Sequence, residues 1–306
     1  MSSVNSPQKV LLTGATGFLG SHLLHALLKA GYEVVAFSRK MSDLWRVRDV
    51  IDQVQWFDVA GDLASPFKGA SRVNHVIHTA TNYDRRSENR TYLVETNVLF
   101  PLRLFELATY YNTDTFFNTD TFFNTDTILY EYLNAYALSK KQFCEWLKLL
   151  AGSTRVFNIK LEHMYGTKDD SSKFVNYVIE HCLNNVSELN LTAGEQKRDF
   201  IYVADVVDAY LCLLQKNDQI SQAYTSLELG TGNSITIKQL VEQIAGLTQT
   251  KTRFRFGTLP YRKNEIMDSK ADISILKQLG WQPKISIQQG LIEIIADKKT
   301  HEGWCK

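Results

Sequence analysis

The sequence predicts an α/β fold, a doubly wound parallel sheet followed by a smaller C-terminal substrate-binding lobe. Short apolar runs alternate with longer amphipathic segments over the first half of the chain, and a glycine-rich loop follows the first of these runs. After about residue 161 the alternation loosens, but no Pro- or Ser-rich linker divides the chain. Alternating strands and helices are typical of parallel sheets, which bind ligands at the carboxyl ends of their strands.

The first βαβ unit consists of a strand at 9–13, a helix at 18–30 that stops at Gly31, and a strand at 33–37. The same patterns predict the remaining strands and helices of the sheet domain: strands at 54–57, 74–79, 115–119 and 155–161, and helices at 91–110 and 134–150. We expect residues 1–165 to form this domain and residues 166–306 to form mainly the lobe. A segment near 197–230 is expected to return to the sheet domain, and the cleft between the two is the expected site.

A hexapeptide repeat occupies the region of the fifth predicted strand. Asn-Thr-Asp-Thr-Phe-Phe spans 112–117, recurs at 118–123, and begins a third time at 124–127. The repeat is too short for a solenoid, so it forms either a loop made by duplication or a strand with its exit loop. We favour the second interpretation, because 115–117 supplies the strand that the alternation needs. The middle copy then lies at the carboxyl end.

Composition and charge exclude several classes of function. The chain has 306 residues, a formal net charge of +1 and a pI near 7.7, which gives no general attraction to nucleic acid or to anionic membranes. Its four cysteines have no spacing typical of a metal site, and neither a secretory signal nor a membrane span is visible. We therefore expect a cytoplasmic protein with reduced thiols and no bound metal.

The loop after the first strand carries Gly14-x-x-Gly17-x-x-Gly20. Between a strand and a helix, such glycines allow a tight turn and a close approach of a dinucleotide pyrophosphate to the helix N-terminus. The alternative is a plain glycine-rich turn. We expect dinucleotide binding by the loop residues Gly14, Thr16, Gly17, Phe18, Leu19 and Gly20.

The end of the second strand indicates which dinucleotide binds. Sites for NAD usually carry a carboxylate there, whereas this strand ends Ser38-Arg39-Lys40. Two cations favour the 2′-phosphate of NADP(H), unless they are merely solvated surface residues. Ser38 and Arg39, together with Asp58 and Ala80 after the third and fourth strands, are further expected cofactor contacts. Tyr136 and Lys140 are expected to contact the cofactor as well.

Tyr136 and Lys140 form a candidate acid–base pair. Residues four apart on a helix share a face, so the Lys140 ammonium is expected to lie beside the Tyr136 phenol and lower its pKa. A hydroxyl at the end of the fifth strand should complete the set. We choose Thr119, followed by Asp120, with Thr121 as the alternative.

These features resemble the extended short-chain dehydrogenases/reductases that act on nucleotide sugars. The resemblance extends to Leu161-Glu-His-Met-Tyr-Gly166, to residues 194–206 and to Leu279-Gly280-Trp281-x-Pro283, and so covers nearly the whole chain. It implies a Rossmann domain, and a homodimer formed through the helices at 91–110 and 134–150. It also implies that Asn97 supports the active site. Tyr83, Arg85 and Arg86 either close over substrate or form a solvated loop, which we favour.

Within this family, sugar 4,6-dehydratases typically carry Thr-Asp-Glu where this chain has Thr119-Asp120-Thr121, which argues against elimination of water. The segment is more similar to that of reductases that make CDP-3,6-dideoxyhexoses for bacterial O-antigen and lipopolysaccharide. This resemblance implies that NADPH, rather than NADH, reduces the C4 ketone of CDP-4-keto-3,6-dideoxyglucose. The product would be CDP-abequose or a C4 isomer such as CDP-paratose.

The same resemblance implies a role for each site residue. Tyr136 would give its proton to the C4 oxygen, Thr119 would hydrogen-bond that oxygen, and Lys140 would support Tyr136 and bind the nicotinamide ribose. Arg198 would pair with the substrate diphosphate, or else form a structural salt bridge to Asp199 or Asp205. His163 would line the sugar pocket, or else be structural. Asp120 is the other expected substrate contact.

Two other functions remain open at this stage. An NAD-dependent nucleotide-sugar 4-epimerase uses the same Thr, Tyr and Lys set and returns the hydride to the opposite face. A catalytically silent NADP(H)-sensing protein would use the fold for regulation, although such proteins usually lack the Tyr and Lys pair.

Overall fold

A seven-stranded sheet organises the structure, a computed structural model that describes residues 7–68, 72–83, 89–111, 121–152 and 154–302. The strand order is β11-β6-β5-β4-β1-β2-β3, and the pairs from β6 to β3 are parallel. The predicted α/β fold with a doubly wound parallel sheet is confirmed. The strands of this sheet are β1 (Lys9–Thr13), β2 (Glu33–Ser38), β3 (Gln55–Asp58), β4 (Val73–His78), β5 (Thr121–Thr127), β6 (Arg155–Leu161) and β11 (Tyr224–Leu229).

The strand order reverses between β1 and its neighbours β2 and β4, which is where an open α/β sheet binds ligands. Three two-stranded sheets complete the strands: β7 (His163–Tyr165) with β10 (Phe200–Tyr202), β9 (Lys197–Arg198) with β12 (Ile235–Thr236), and β8 (Glu188–Asn190) with β13 (Arg253–Arg255).

The helices are α1 (Phe18–Lys29), α2 (Arg90–Val94), α3 (Phe100–Tyr110), α4 (Ala135–Leu150), α5 (Phe174–Leu183), α6 (Val203–Lys216), α7 (Ile237–Thr248), α8 (Ser274–Gln278) and α9 (Ile287–Glu302). A π-helical turn, Glu95–Leu99, joins α2 to α3. Helix α1 forms because leucines recur at helical spacing and bury one face, and Gly31 (φ +84°) follows its end as predicted.

The fifth strand differs from the prediction. The segment that pairs with β4 and β6 is Thr121–Thr127, whereas the predicted segment 115–119 lies outside the described residues. Phe122 and Phe123 of the middle repeat copy fill the sheet interior, and residues of the third copy end the strand. The predicted register was wrong by one hexapeptide, because the two copies offer the sheet the same Phe-Phe-Asn-Thr-Asp-Thr sequence.

The chain divides into two compact units. One comprises residues 1–161 and 210–227, and the other comprises residues 162–209 and 228–306. This division lies near the predicted domain boundary at residue 165, which itself stays a prediction. Across the described part of the chain, no helix is long and apolar enough to cross a membrane.

Candidate active site

The glycine loop lies between β1 and α1, as predicted, and its shape depends on two glycines. Gly14 has φ +72°, and a Cβ there would lie 2.6 Å from the Thr79 hydroxyl oxygen. A Cβ on Gly20 would lie 2.0 Å from the Gly14 carbonyl oxygen. Side chains at either position would therefore push the first turn of α1 away from the sheet.

This loop fits the pyrophosphate of a dinucleotide. Gly17 caps α1 without a side chain, so no hydroxyl or carboxylate of its own occupies the helix N-terminus. Thr16 and Phe18 are partly exposed and Leu19 is buried beneath them. The backbone at the start of α1 can thus accept an anion as close as the glycines permit.

The residues predicted to select the cofactor surround the ends of β2 and β3. Ser38 ends β2, Arg39 is exposed directly after it, and Asp58 ends β3. The Lys40 ammonium lies 3.8 Å from an Asp58 carboxylate oxygen. Arg39 remains exposed to solvent at the end of β2. It occupies the position where an NAD site usually carries a carboxylate.

The carboxyl end of β4 is tied to β1 below the glycine loop. The Thr13 hydroxyl lies 2.8 Å from His78 Nδ1 and 3.3 Å from the Ala80 amide nitrogen, which donates to it. Burial lowers the pKa of His78 well below its usual value, followed by the charge of Lys140. A neutral His78 therefore supports the loop from inside the sheet.

Tyr136 is the residue around which the site is organised. It is the second residue of α4 and is partly buried, and the hydroxyls of Thr81 and Thr127 lie near its phenol, where they act to lower its pKa. The Tyr83 ring lies 5.1 Å from the Tyr136 ring between centroids. Burial raises the pKa of Tyr136 well above its usual value, and Tyr83 and Asp126 act in the same direction. The phenol is therefore a protonated donor in this structure.

Lys140 lies one turn along α4 from Tyr136 and is buried. Desolvation lowers the pKa of Lys140, against the opposing influence of Asp126. We expected Lys140 to lower the pKa of Tyr136. In the structure the effect of burial on Tyr136 is the largest, so the expected direction is not found.

The hydroxyls at the carboxyl end of β5 are Thr125 and Thr127, one repeat copy later than predicted. The Thr127 hydroxyl lies near Tyr136 and accepts from the Leu129 amide at 3.3 Å, whereas the Thr125 hydroxyl lies 2.7 Å from that of Tyr210. The alternative candidate, Thr121, begins the strand, and its hydroxyl lies 2.7 Å from His75 Nδ1, so it is at the wrong end of β5. Thr119 and Asp120 lie outside the described residues.

Asn97 joins the exit of β4 to α4, near the acid–base pair. Its amide nitrogen donates to the Ser139 hydroxyl and to the Asn82 carbonyl, both at 2.9 Å. Its amide oxygen accepts from the Asn82 amide at 2.8 Å and from the Thr81 hydroxyl at 3.3 Å. The side chain thereby holds Thr81 where it meets Tyr136.

The two substrate-binding candidates of the second unit have protein partners of their own. His163 Nδ1 lies 3.0 Å from a Glu162 carboxylate oxygen. The Arg198 guanidinium pairs with Glu265 and donates to the Lys197 carbonyl at 2.7 Å. The alternative prediction that Arg198 pairs with Asp199 or Asp205 is wrong. Both carboxylates accept hydrogen bonds from backbone amides instead.

Sequence reasoning missed Thr81, Asp126 and Thr127. A signal for the last two existed, since 124–127 repeats the polar part of 118–121 and precedes α4 more closely. Thr81 had no such signal beyond its place after β4. The loop interpretation of Tyr83 also missed its contact with Tyr136, and Arg85 and Arg86 lie outside the described residues.

Known proteins resemble this chain along nearly its whole length. A profile of the NAD dependent epimerase/dehydratase family matches residues 10–226. A CDP-abequose synthase of Salmonella muenchen is 36% identical over 95% of this chain and 98% of its own length, and one of Salmonella typhimurium is 34% identical over 94% and 97%. A UDP-glucose 4-epimerase of Thermotoga maritima, solved with UDP-glucose, superposes with a TM-score of 0.81 at 21% identity, over 96% of this chain and 100% of the other.

Proposed function

The chain belongs to the NAD dependent epimerase/dehydratase family, and on that premise we propose that it is an NADPH-dependent reductase of the C4 ketone of a nucleotide-linked deoxysugar. The substrate that the proposal favours is CDP-4-keto-3,6-dideoxyglucose, and the product is CDP-abequose or its C4 isomer CDP-paratose. Relatives named CDP-abequose synthase at 34–36% identity support this choice. The enzyme would act in the cytoplasm, in the biosynthesis of O-antigen.

The observation that carries the proposal is the environment of Tyr136. A ketone reductase needs a neutral acid that gives a proton to the carbonyl oxygen as the hydride arrives. Burial keeps Tyr136 protonated, and the hydroxyls of Thr127 and Thr81 lie near its phenol at the start of α4. The Thr127 hydroxyl would stabilise the oxyanion that forms there.

The strand sequence also supports reduction rather than elimination. In the register of the structure, Thr125-Asp126-Thr127 stands where dehydratases typically carry Thr-Asp-Glu. A threonine replaces the carboxylate that would remove a proton from the sugar. The Thr127 hydroxyl therefore stands in place of that carboxylate at the end of β5.

NADPH supplies the hydride when it is bound. Gly14, Gly17 and Gly20 leave room for its pyrophosphate, and Arg39 provides a cation for its 2′-phosphate. Lys140, buried one turn along α4 from Tyr136, would bind the nicotinamide ribose. Arg198 would hold the substrate diphosphate after leaving Glu265, and His163 would line the sugar pocket.

The decisive experiment mixes the purified protein with NADPH and CDP-4-keto-3,6-dideoxyglucose and follows absorbance at 340 nm. NADPH oxidation is expected, and NMR of the product sugar distinguishes the galacto from the gluco configuration at C4. Tyr136→Phe is the matched control, which should bind NADPH but lose turnover. A protein that retains NAD⁺, leaves NADPH unchanged and interconverts UDP-glucose and UDP-galactose would instead be a 4-epimerase.

A further inference from the structure

A buried ion pair adjoins Thr127, whose hydroxyl lies near Tyr136. The Lys141 ammonium is 2.8 Å from Asp126 Oδ2, with side-chain exposures of 18% for Lys141 and 1% for Asp126. Lys141 follows Lys140 on α4, and Asp126 precedes Thr127 on β5. The pair thus joins the helix that carries the acid to the strand that carries its partner.

Both members of the pair bind the backbone of Thr127. The Thr127 amide donates to Asp126 Oδ1 at 2.7 Å, and the Lys141 ammonium donates to the Thr127 carbonyl at 2.5 Å. Two charged groups therefore hold the peptide units on either side of one residue. The direction of the Thr127 side chain depends on these contacts, because backbone position determines where its hydroxyl points.

The Asp126 carboxylate is ionised and accepts hydrogen bonds, so it is not available as a proton donor. Asn158 Nδ2 donates to Oδ2 at 3.1 Å, and the Asn158 amide oxygen accepts from Asn124 at 2.7 Å. With Thr127 and Lys141, this gives both carboxylate oxygens hydrogen-bond donors. Burial acts to raise the pKa of Asp126, but the charge and hydrogen bond of Lys141, together with the charge of Lys140 and the Thr127 amide, lower it overall.

We propose that Asp126 and Lys141 are positioning residues for the reductase, an ion pair that aims the Thr127 hydroxyl at Tyr136 and sets the charge beside the acid. The inference rests on the proposed function. It gives Asp126 a different use from the aspartate of the dehydratase sequence, which takes part in loss of water. In this chain the aspartate supports the hydroxyl without touching substrate.

Other groups act on the same region. Tyr83 after β4 and Asp126 on β5 act electrostatically on Tyr136. Lys140, Lys141 and Cys144 on α4 and Tyr224 on β11 interact with Asp126. Among these groups, Asp126 carries a negative charge, and the Lys141 ammonium neutralises it at contact distance. Removing Asp126 makes the electrostatic potential at Tyr136 more positive, whereas removing Lys141 makes it more negative.

The first test compares charge variants at saturating NADPH. Asp126→Asn keeps an oxygen for the Thr127 amide but removes the anion, so the alkaline decline of kcat/KM should move down by about one pH unit. Lys141→Met should not move the alkaline decline of kcat/KM to lower pH, and Lys141→Arg should resemble the wild type. Glu145→Gln, which breaks an exposed ion pair with Lys148 on the same helix, is the control.

The second test separates positioning from folding. Asp126→Leu/Lys141→Met removes both charges and so avoids a lone buried ion, which restores thermal stability relative to Lys141→Met. Because both contacts with Thr127 are lost, kcat should remain about 10- to 100-fold low, with KM for the keto sugar little changed.

The proposal is overturned if the double variant recovers kcat together with stability, or if Asp126→Asn matches the wild-type pH profile. A wild-type protein that never oxidises NADPH with the keto sugar would refute the proposed function instead. In that case the pair would still be assessed by spectrophotometric titration of Tyr136, with Tyr136→Phe as the reference, and Asp126→Asn should still titrate at lower pH.

Discussion

The hydroxyl of Thr127, at the carboxyl end of β5, lies near the phenol of Tyr136, at the start of α4, and acts to lower its pKa against the effect of burial. Thr125, two residues earlier on the same strand face, bonds Tyr210 instead. One hydroxyl is thus directed to the acid and the other to the interior, although the two belong to the same tetrapeptide.

Substituting these two threonines should separate their roles. Thr127→Val removes a donor to the reacting oxygen, so kcat should fall about 100-fold or more. Thr125→Val leaves the buried Tyr210 hydroxyl without its partner and should cost about 1–3 kcal/mol of unfolding free energy. Steady-state assays and urea unfolding measure the two effects. A larger loss of kcat in Thr125→Val would transfer the catalytic role to Thr125.

Gly20→Ala should weaken NADPH binding about tenfold or more, because the added methyl group would collide with the Gly14 carbonyl and displace the pyrophosphate loop. Gly246→Ala is the control, since a Cβ there meets nothing within 4 Å on helix α7. It should leave the Kd unchanged and stabilise the protein by about 1 kcal/mol. Fluorescence titration with NADPH compares them, and equal Kd values would contradict the placement of the cofactor.

Arg39→Ala should raise the Kd for NADPH about 10- to 100-fold by removing a charge-assisted bond to the 2′-phosphate, and leave NADH binding unchanged. The exposed Lys29, at the end of α1, supplies the control Lys29→Ala. Calorimetry with both dinucleotides tests the selectivity. Equal losses of affinity for NADPH and NADH would show that Arg39 does not recognise the 2′-phosphate.

Stability should fall with acid partly through His75. Burial lowers the pKa of His75 to about 4. Between pH 6.5 and 4, His75 therefore binds a proton in the unfolded chain but not in the folded chain. This stability is therefore present above pH 6.5 and lost as the pH falls through that window, by about 2–3 kcal/mol. His75→Gln should lose correspondingly less between pH 7 and pH 4.5 in urea unfolding. Parallel losses would contradict a neutral His75.

The outer faces of α3 and α4 should form the proposed homodimer interface. Tyr110, Trp146 and Leu149 expose large apolar side chains there, and Leu149 is 74% exposed. Leu149→Glu should give monomers in analytical ultracentrifugation. Met41→Glu changes an even more exposed apolar residue of a loop and should leave the dimer intact. A wild-type monomer, or dimers in both variants, would refute this interface.

The sheet and the glycine loop could be predicted because their signals are local. Leucine spacing fixed α1, and Gly14 and Gly20 lay between a strand and a helix. The register of β5 could not be predicted, since Thr119 and Thr125 lie in identical hexapeptides. Only the pairing of β5 with β4 and β6 distinguishes the two registers. The direction of the Tyr136 pKa depends on burial and on electrostatic interaction with Tyr83, which is distant in sequence.

The repeated hexapeptide has an evolutionary consequence. Strand β5 starts in one copy and ends in the next, and the copy before them carries the same letters. Loss or duplication of one unit upstream of β5 would change the chain length by six residues while the sheet still received an identical strand. The gene can therefore vary in length beside its active site without altering a single catalytic side chain.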